Sequence, residues 1–240
     1  MKVILCENYD EMSAKAANIF AAQLTLKPDS ILGLATGSTP VGMYKKLIEK
    51  NEAGEIDFSA VRTFNLDEYY PIKRDNSQSY FTFMNENLFS HVNIDINNTC
   101  IPNGEAEDAE KECKEYEKML AEAGGVDLQV LGIGQNGHIG FNEPDEKLES
   151  YTHVTGLTES TINANARFFD SVNDVPTKAI TMGMASIMSA KKIVILASGE
   201  SKKDAVKALL DDKITTSVPA TLLKTHPDVI LICDKEAYAL

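Results

Sequence analysis

The stretch Ser30-Ile31-Leu32-Gly33-Leu34-Ala35-Thr36-Gly37-Ser38-Thr39-Pro40 reads as a strand, a loop and the start of a helix that runs on through Val41–Lys50. The Ser30–Ala35 run is apolar almost without interruption, which suits a strand covered on both faces. Thr39 is the expected helix N-cap and Pro40 the expected first helical residue, because that position's N–H has no partner inside a helix. The open amides and the positive end of the helix dipole would then face the loop, with the hydroxyls of Ser38 and Thr39 beside them. Such a loop is a cradle for a phosphate or a carboxylate. It lacks the Gly-Lys-Ser/Thr ending of a Walker loop, so nucleoside triphosphates lose support.

The same strand-then-helix unit recurs along the chain. Further apolar runs lie at Lys2–Cys6, Val61–Leu66, Leu128–Ile133, Lys178–Met182, Lys192–Ala197 and Val229–Cys233. Helical periodicity marks Tyr9–Leu26, Ser79–Phe89, Ala106–Ala123 and Lys202–Leu210. The alternation predicts an α/β fold, a three-layer sandwich around a mostly parallel, Rossmann-like sheet. No repeat, low-complexity tract or linker divides the chain, so one domain over 1–240 is expected. Ligands of such a fold bind beyond the carboxyl ends of the strands.

Composition narrows the partners. With 23 Lys+Arg against 36 Asp+Glu the net charge is -13, and no basic stripe offsets it. Nucleic acid and anionic membrane are therefore excluded as partners, and any bound anion must be gripped by a few local cations and amides. No apolar run reaches the roughly 18 residues of a spanning helix, and the start MKVILCENYD meets acidic residues too early for a signal peptide. Cys6, Cys100, Cys113 and Cys233 show no CxxC pair or metal spacing, so the expectation is a cytoplasmic protein with no metal site.

Three other loops carry chemistry. The third strand ends in Thr63-Phe64-Asn65-Leu66-Asp67-Glu68-Tyr69-Tyr70. A carboxylate leaving an apolar strand is partly desolvated, which raises its basicity and suits it to proton abstraction. Neighbouring side chains diverge, so only one of Asp67 and Glu68 should face a pocket. The fourth strand runs into Gly132-Ile-Gly134-Gln-Asn136-Gly137-His138-Ile-Gly140-Phe-Asn142-Glu143-Pro144. Its formal GxGxxG does not open a helix, so the dinucleotide reading fails. The glycines bring backbone close to a ligand around His138, a proton donor and acceptor near neutral pH, with Asn136 and Glu143 placed to orient it. Finally Arg167, in Asn163-Ala-Asn165-Ala-Arg167-Phe168-Phe169, and Lys202, after Ser198-Gly199-Glu200-Ser201, supply local positive charge for a phosphate on the Ser38/Thr39 cradle. Ser201 and Asp204 fit a helix-capping pattern.

These loops, in this order, resemble the glucosamine-6-phosphate deaminases. The matching stretches are LATGSTP, TFNLDEYY, GIGQNGHIGFNEP, NARFF and SGESKK, and the likeness spans nearly the whole chain. The resemblance implies conversion of glucosamine 6-phosphate and water to fructose 6-phosphate and ammonia, with no metal and no organic cofactor. By that resemblance Asp67 is the base that removes the C2 proton of the opened sugar and returns it at C1. His138 shuttles the proton that opens the ring, oriented by Glu143. Gly37, Ser38 and Thr39 bind the phosphate together with Arg167 and Lys202. The polar segment Tyr151–Asp170 is the expected lid.

Two departures from the family pattern bear on function. Many deaminases carry Asp where this chain has Asn136; an amide orients His138 but does not stabilise imidazolium as a carboxylate would, so activity is expected to extend to lower pH. The longer, allosteric hexamers carry a C-terminal extension and basic residues soon after the Glu-Pro. Here the chain ends at Leu240 and that region reads Asp145-Glu146-Lys147-Leu148-Glu149. The expectation is a monomer or small homo-oligomer without activation by an acetylated sugar phosphate. The enzyme rival is a 6-phosphogluconolactonase, whose Gly-His loop usually continues to Ser-Leu-Phe-Pro rather than Phe-Asn-Glu-Pro. A non-catalytic sugar-phosphate sensor would need a DNA-binding module, and Asp67 with His138 favours turnover.

Overall fold

The structure, a computed structural model, describes residues 1–157, 162 and 175–238. Seven parallel strands form the main sheet: β1 (Lys2–Cys6), β2 (Ile31–Leu34), β3 (Arg62–Asn65), β5 (Thr99–Cys100), β6 (Leu128–Gly132), β9 (Ile193–Ala197) and β10 (Val229–Asp234). Their spatial order is β1-β10-β9-β6-β2-β3-β5. Every residue of β9 is buried, as are Leu128–Leu131 of β6, so the unbroken apolar runs do lie under cover on both faces.

Among the described residues, helices α1 (Tyr9–Leu26), α2 (Val41–Glu52), α3 (Tyr80–Asn87), α4 (Ala109–Glu122), α5 (Met184–Met188) and α6 (Lys203–Leu210) accompany the sheet. Local chemistry sets several of their starts. Asn8 caps α1 by accepting from Glu11 N at 3.0 Å, and Asp108 caps α4 by accepting from Lys111 N at 3.0 Å. Two expected caps do not form. Helix α2 begins at Val41 with Pro40, not Thr39, at the cap position, and no side chain caps it. The segment Glu200–Lys202 is a 3-10 turn, and Ser201 caps nothing at α6.

The strand order explains where a site can form. From β2 the chain proceeds outward to β3 and β5, whereas from β6 it proceeds the other way to β9 and β10. The reversal lies between β2 and β6, and the loops following these two strands flank the crevice it leaves.

A second sheet roofs that edge. Strands β4 (Asp67–Tyr70), β8 (Lys178–Thr181) and β7 (His153–Gly156) pair antiparallel in the order β4-β8-β7. Lys178–Thr181, expected among the parallel strands, thus pairs antiparallel in this second sheet, and Asp67–Tyr70, expected as a loop, is a strand. Only Leu66 separates β3 from β4; it donates to Leu34 O at 3.1 Å and accepts from Met182 N at 2.8 Å. That residue hinges the two sheets and binds β8 to the carboxyl edge of the main one. Within the expected lid, His153–Gly156 form strand β7, and residues 158–161 and 163–170 lie outside the described residues. Among the described residues no helix is long and apolar enough to cross a membrane.

Candidate active site

At the start of β4 the two adjacent carboxylates part company. Glu68 turns back to the N-terminus of α3, where Oε1 accepts from Tyr69 N and Tyr80 N at 2.9 Å each and Oε2 accepts from Phe81 N at 3.1 Å. Burial pushes Glu68 up to about 7, and those amides hold the rise down. Its job is to terminate a buried helix end.

Asp67 faces the other way. It is 6% exposed, and no described residue hydrogen-bonds its carboxylate. Burial, with the charge of Glu68 behind it, pushes Asp67 up to about 8. A carboxyl held this high is, once ionised, an unusually strong base.

The loop after β6 closes over Asp67. Gly140, at φ +59, lies so near that a Cβ there would stand 3.4 Å from Asp67 Oδ2 and 2.9 Å from Thr181 Oγ1. Only glycine fits that backbone and that approach. Phe141 N donates to Thr181 Oγ1 at 3.2 Å, while Asn142 Nδ2 donates to Ile139 O at 2.9 Å and Met182 O at 2.8 Å. The Phe141 ring stacks on Tyr80 at 6.2 Å between centroids. The loop is thus fastened to β8 and α3.

His138 sits two residues earlier in the same loop. Its Nδ1 lies 2.8 Å from Asn136 Oδ1 and 3.3 Å from Glu143 Oε1, and Asn136 Nδ2 donates to Glu143 Oε2 at 2.7 Å. That last bond fixes the Asn136 amide with its oxygen toward the imidazole, so Nδ1 carries the hydrogen. Nε2 is left with its lone pair and no partner among the described residues. Gly134 makes room for the ring, because a Cβ there would come within 2.3 Å of Nδ1.

The β2 loop leaves a run of backbone amides open. The amides of Gly37, Ser38, Thr39 and Val41 have no acceptor among the described residues. A cavity of about 380 Å³ opens here, lined by Tyr9, Ser38, Thr39, Val41 and Ser198. Ser198, the first residue after β9, donates to Asp234 Oδ2 at 2.5 Å, and Gly199 N donates to the same carboxylate at 3.1 Å. This anchors the turn carrying Lys202, a half-buried ammonium with no carboxylate partner among the described residues. Burial holds Lys202 below its ordinary value, a deficit that an anion would relieve. Arg167 lies outside the described residues.

Sequence reasoning missed Tyr9, Ser198, Asp234, Asn142 and Thr181. Each reaches the site through a contact far away in the chain and leaves no local pattern.

Comparisons with known proteins point to one family. The family described as glucosamine-6-phosphate isomerases/6-phosphogluconolactonase matches residues 7–231. A Thermoanaerobacter pseudethanolicus protein named glucosamine-6-phosphate deaminase is 61% identical over 240 residues, spanning 100% of this chain and 95% of its own. Another of that name, from Halothermothrix orenii, is 58% identical across 100% of both chains. The solved structure of a monomeric glucosamine-6-phosphate deaminase superposes with a TM-score of 0.96 at 46% identity, covering 99% of this chain and 98% of that one. A 6-phosphogluconolactonase from Thermotoga maritima shares the fold, with a TM-score of 0.77 at 23% identity and coverage of 98% and 99%. The chain belongs to the family of glucosamine-6-phosphate isomerases and 6-phosphogluconolactonases.

Proposed function

We propose that this chain converts glucosamine 6-phosphate and water to fructose 6-phosphate and ammonia. The observation that carries the reading is Asp67, a buried carboxylate raised to about 8 beside the histidine loop, with no hydrogen-bond partner among the described residues. Ester hydrolysis has no use for a carbon-acid base in that position, whereas an aldose–ketose shift requires one. Relatives 56–61% identical, all named glucosamine-6-phosphate deaminase, support the choice over a lactonase.

The residues divide the work. The amides and hydroxyls of Gly37, Ser38 and Thr39, with Lys202 and Arg167, hold the phosphate and fix the sugar in register. His138 Nε2 takes the proton of the anomeric hydroxyl and delivers it to the ring oxygen, which opens the ring to the aldehyde. Asn136 and Glu143 keep Nδ1 protonated and the ring aimed. Asp67 then removes the proton on C2, giving an enolamine, and returns it to C1, which leaves an imine at C2. Water adds to that imine and ammonia departs. The scheme uses no metal and no organic cofactor. It acts on a free sugar phosphate in the cytoplasm and needs neither nucleic acid nor membrane. A monomer or small oligomer suffices, in keeping with a solved relative named as monomeric.

The test is direct. Purified protein should release ammonia and fructose 6-phosphate from glucosamine 6-phosphate and leave 6-phosphogluconolactone hydrolysis at its spontaneous rate. Catalysed lactone opening without ammonia release overturns the reading.

A further inference from the structure

The anion cradle is not self-supporting. Helix α2 lacks a side-chain cap, and Ser38 and Thr39 spend neither hydroxyl on holding the loop. What holds it is Tyr9, the first residue of α1. The Tyr9 hydroxyl donates to Ser38 O at 3.0 Å and accepts from Gly42 N at 2.8 Å. One oxygen therefore clamps the loop to the first turn of α2, across a wall of the 380 Å³ cavity that Tyr9 itself lines.

The clamp has a geometric consequence. In a trans peptide the carbonyl and the next N–H point in opposite directions. With Ser38 O held by Tyr9, the Thr39 N–H is turned to the opposite side of the peptide, away from the phenol. The Gly42 amide is satisfied by the phenol, whereas those of Gly37, Ser38, Thr39 and Val41 have no acceptor among the described residues.

We infer that Tyr9 is a positioning residue for the substrate's phosphoryl group, setting the Ser38–Thr39 peptide in its anion-binding orientation before ligand arrives. The inference rests on the proposed function for its substrate and on the cavity and hydrogen bonds for its chemistry. Preorganised donors lose less freedom on binding, so removing the clamp weakens phosphate binding without touching the proton-transfer groups.

Tyr9→Phe keeps the ring and deletes the hydroxyl. Loss of a neutral hydrogen-bonded clamp of this kind should raise KM for glucosamine 6-phosphate about five- to tenfold, with kcat held within about twofold. Inorganic phosphate, used as a competitive inhibitor, should weaken by the same factor. Calorimetric titration of wild type and variant with inorganic phosphate reads the clamp even if neither protein releases ammonia, so failure of the substrate assignment stays distinct from failure of the clamp. Unchanged KM and phosphate affinity, with only a lower melting temperature, would show that Tyr9 merely staples α1 to α2. A fall in kcat at constant KM would equally overturn the inference.

Discussion

At the residue scale, chemistry turns on how differently two neighbouring carboxylates are treated. Glu68 is fed by backbone amides and Asp67 by none from the described residues, although both are buried. The burial of Asp67 has a thermodynamic signature. Its folded carboxyl, at about 8, binds a proton more tightly than the unfolded one at 3.8. The contribution to stability is therefore fully present below about pH 4 and is lost as pH rises through about 8. Asp67→Asn cannot ionise, so its melting temperature should exceed that of wild type by more at about pH 8 than at about pH 5. An equal gap at both values contradicts the burial assigned to Asp67.

At the element scale, the clearest structural debt is owed by α3. Its first amides point into a buried junction and are answered by Glu68 from a neighbouring strand. Glu68→Ala strands the amides of Tyr69, Tyr80 and Phe81 and should cost about 2–4 kcal/mol in urea unfolding, given roughly 1–3 kcal/mol for a buried donor left unmade. A loss below about 1 kcal/mol would mean water replaces the carboxylate. The divergence of Asp67 and Glu68 was legible from their adjacency, but the strand that carries them was not. Asp-Glu-Tyr-Tyr has no apolar alternation, and it becomes β4 only because β8 pairs with it across more than a hundred residues. The same long-range pairing drew Lys178–Thr181 out of the main sheet. By contrast Asn136, His138 and Glu143 sit within one loop, and local sequence was enough to place their contacts. Pro40 also misled locally: α2 starts one residue late because the Tyr9 hydroxyl, not Thr39, answers the Gly42 amide.

At the scale of the whole molecule, strand order does what no single motif could. The loop after β2 and the histidine loop after β6 follow neighbouring strands because the sheet reverses its winding between them. The alternation of apolar runs predicted the sandwich, whereas the switch point depends on pairings that periodicity does not encode. A net charge of -13 also forces the anion site to be local, on amides and few cations. The largely acidic stretch Asp145–Glu149 after the histidine loop offers no second grip for a sugar phosphate. Substrate saturation should therefore be hyperbolic and unchanged by N-acetylglucosamine 6-phosphate; a sigmoidal curve that this ligand straightens would contradict that. The central claim is that one buried carboxylate moves the C2 proton. Its most direct test is ammonia release from glucosamine 6-phosphate, with excess chelator present, by wild type and Asp67→Asn side by side. Steady release by wild type and a loss of at least about a thousandfold in the variant are expected for removal of an essential base. A variant within about tenfold of wild type would show that Asp67 is not the base.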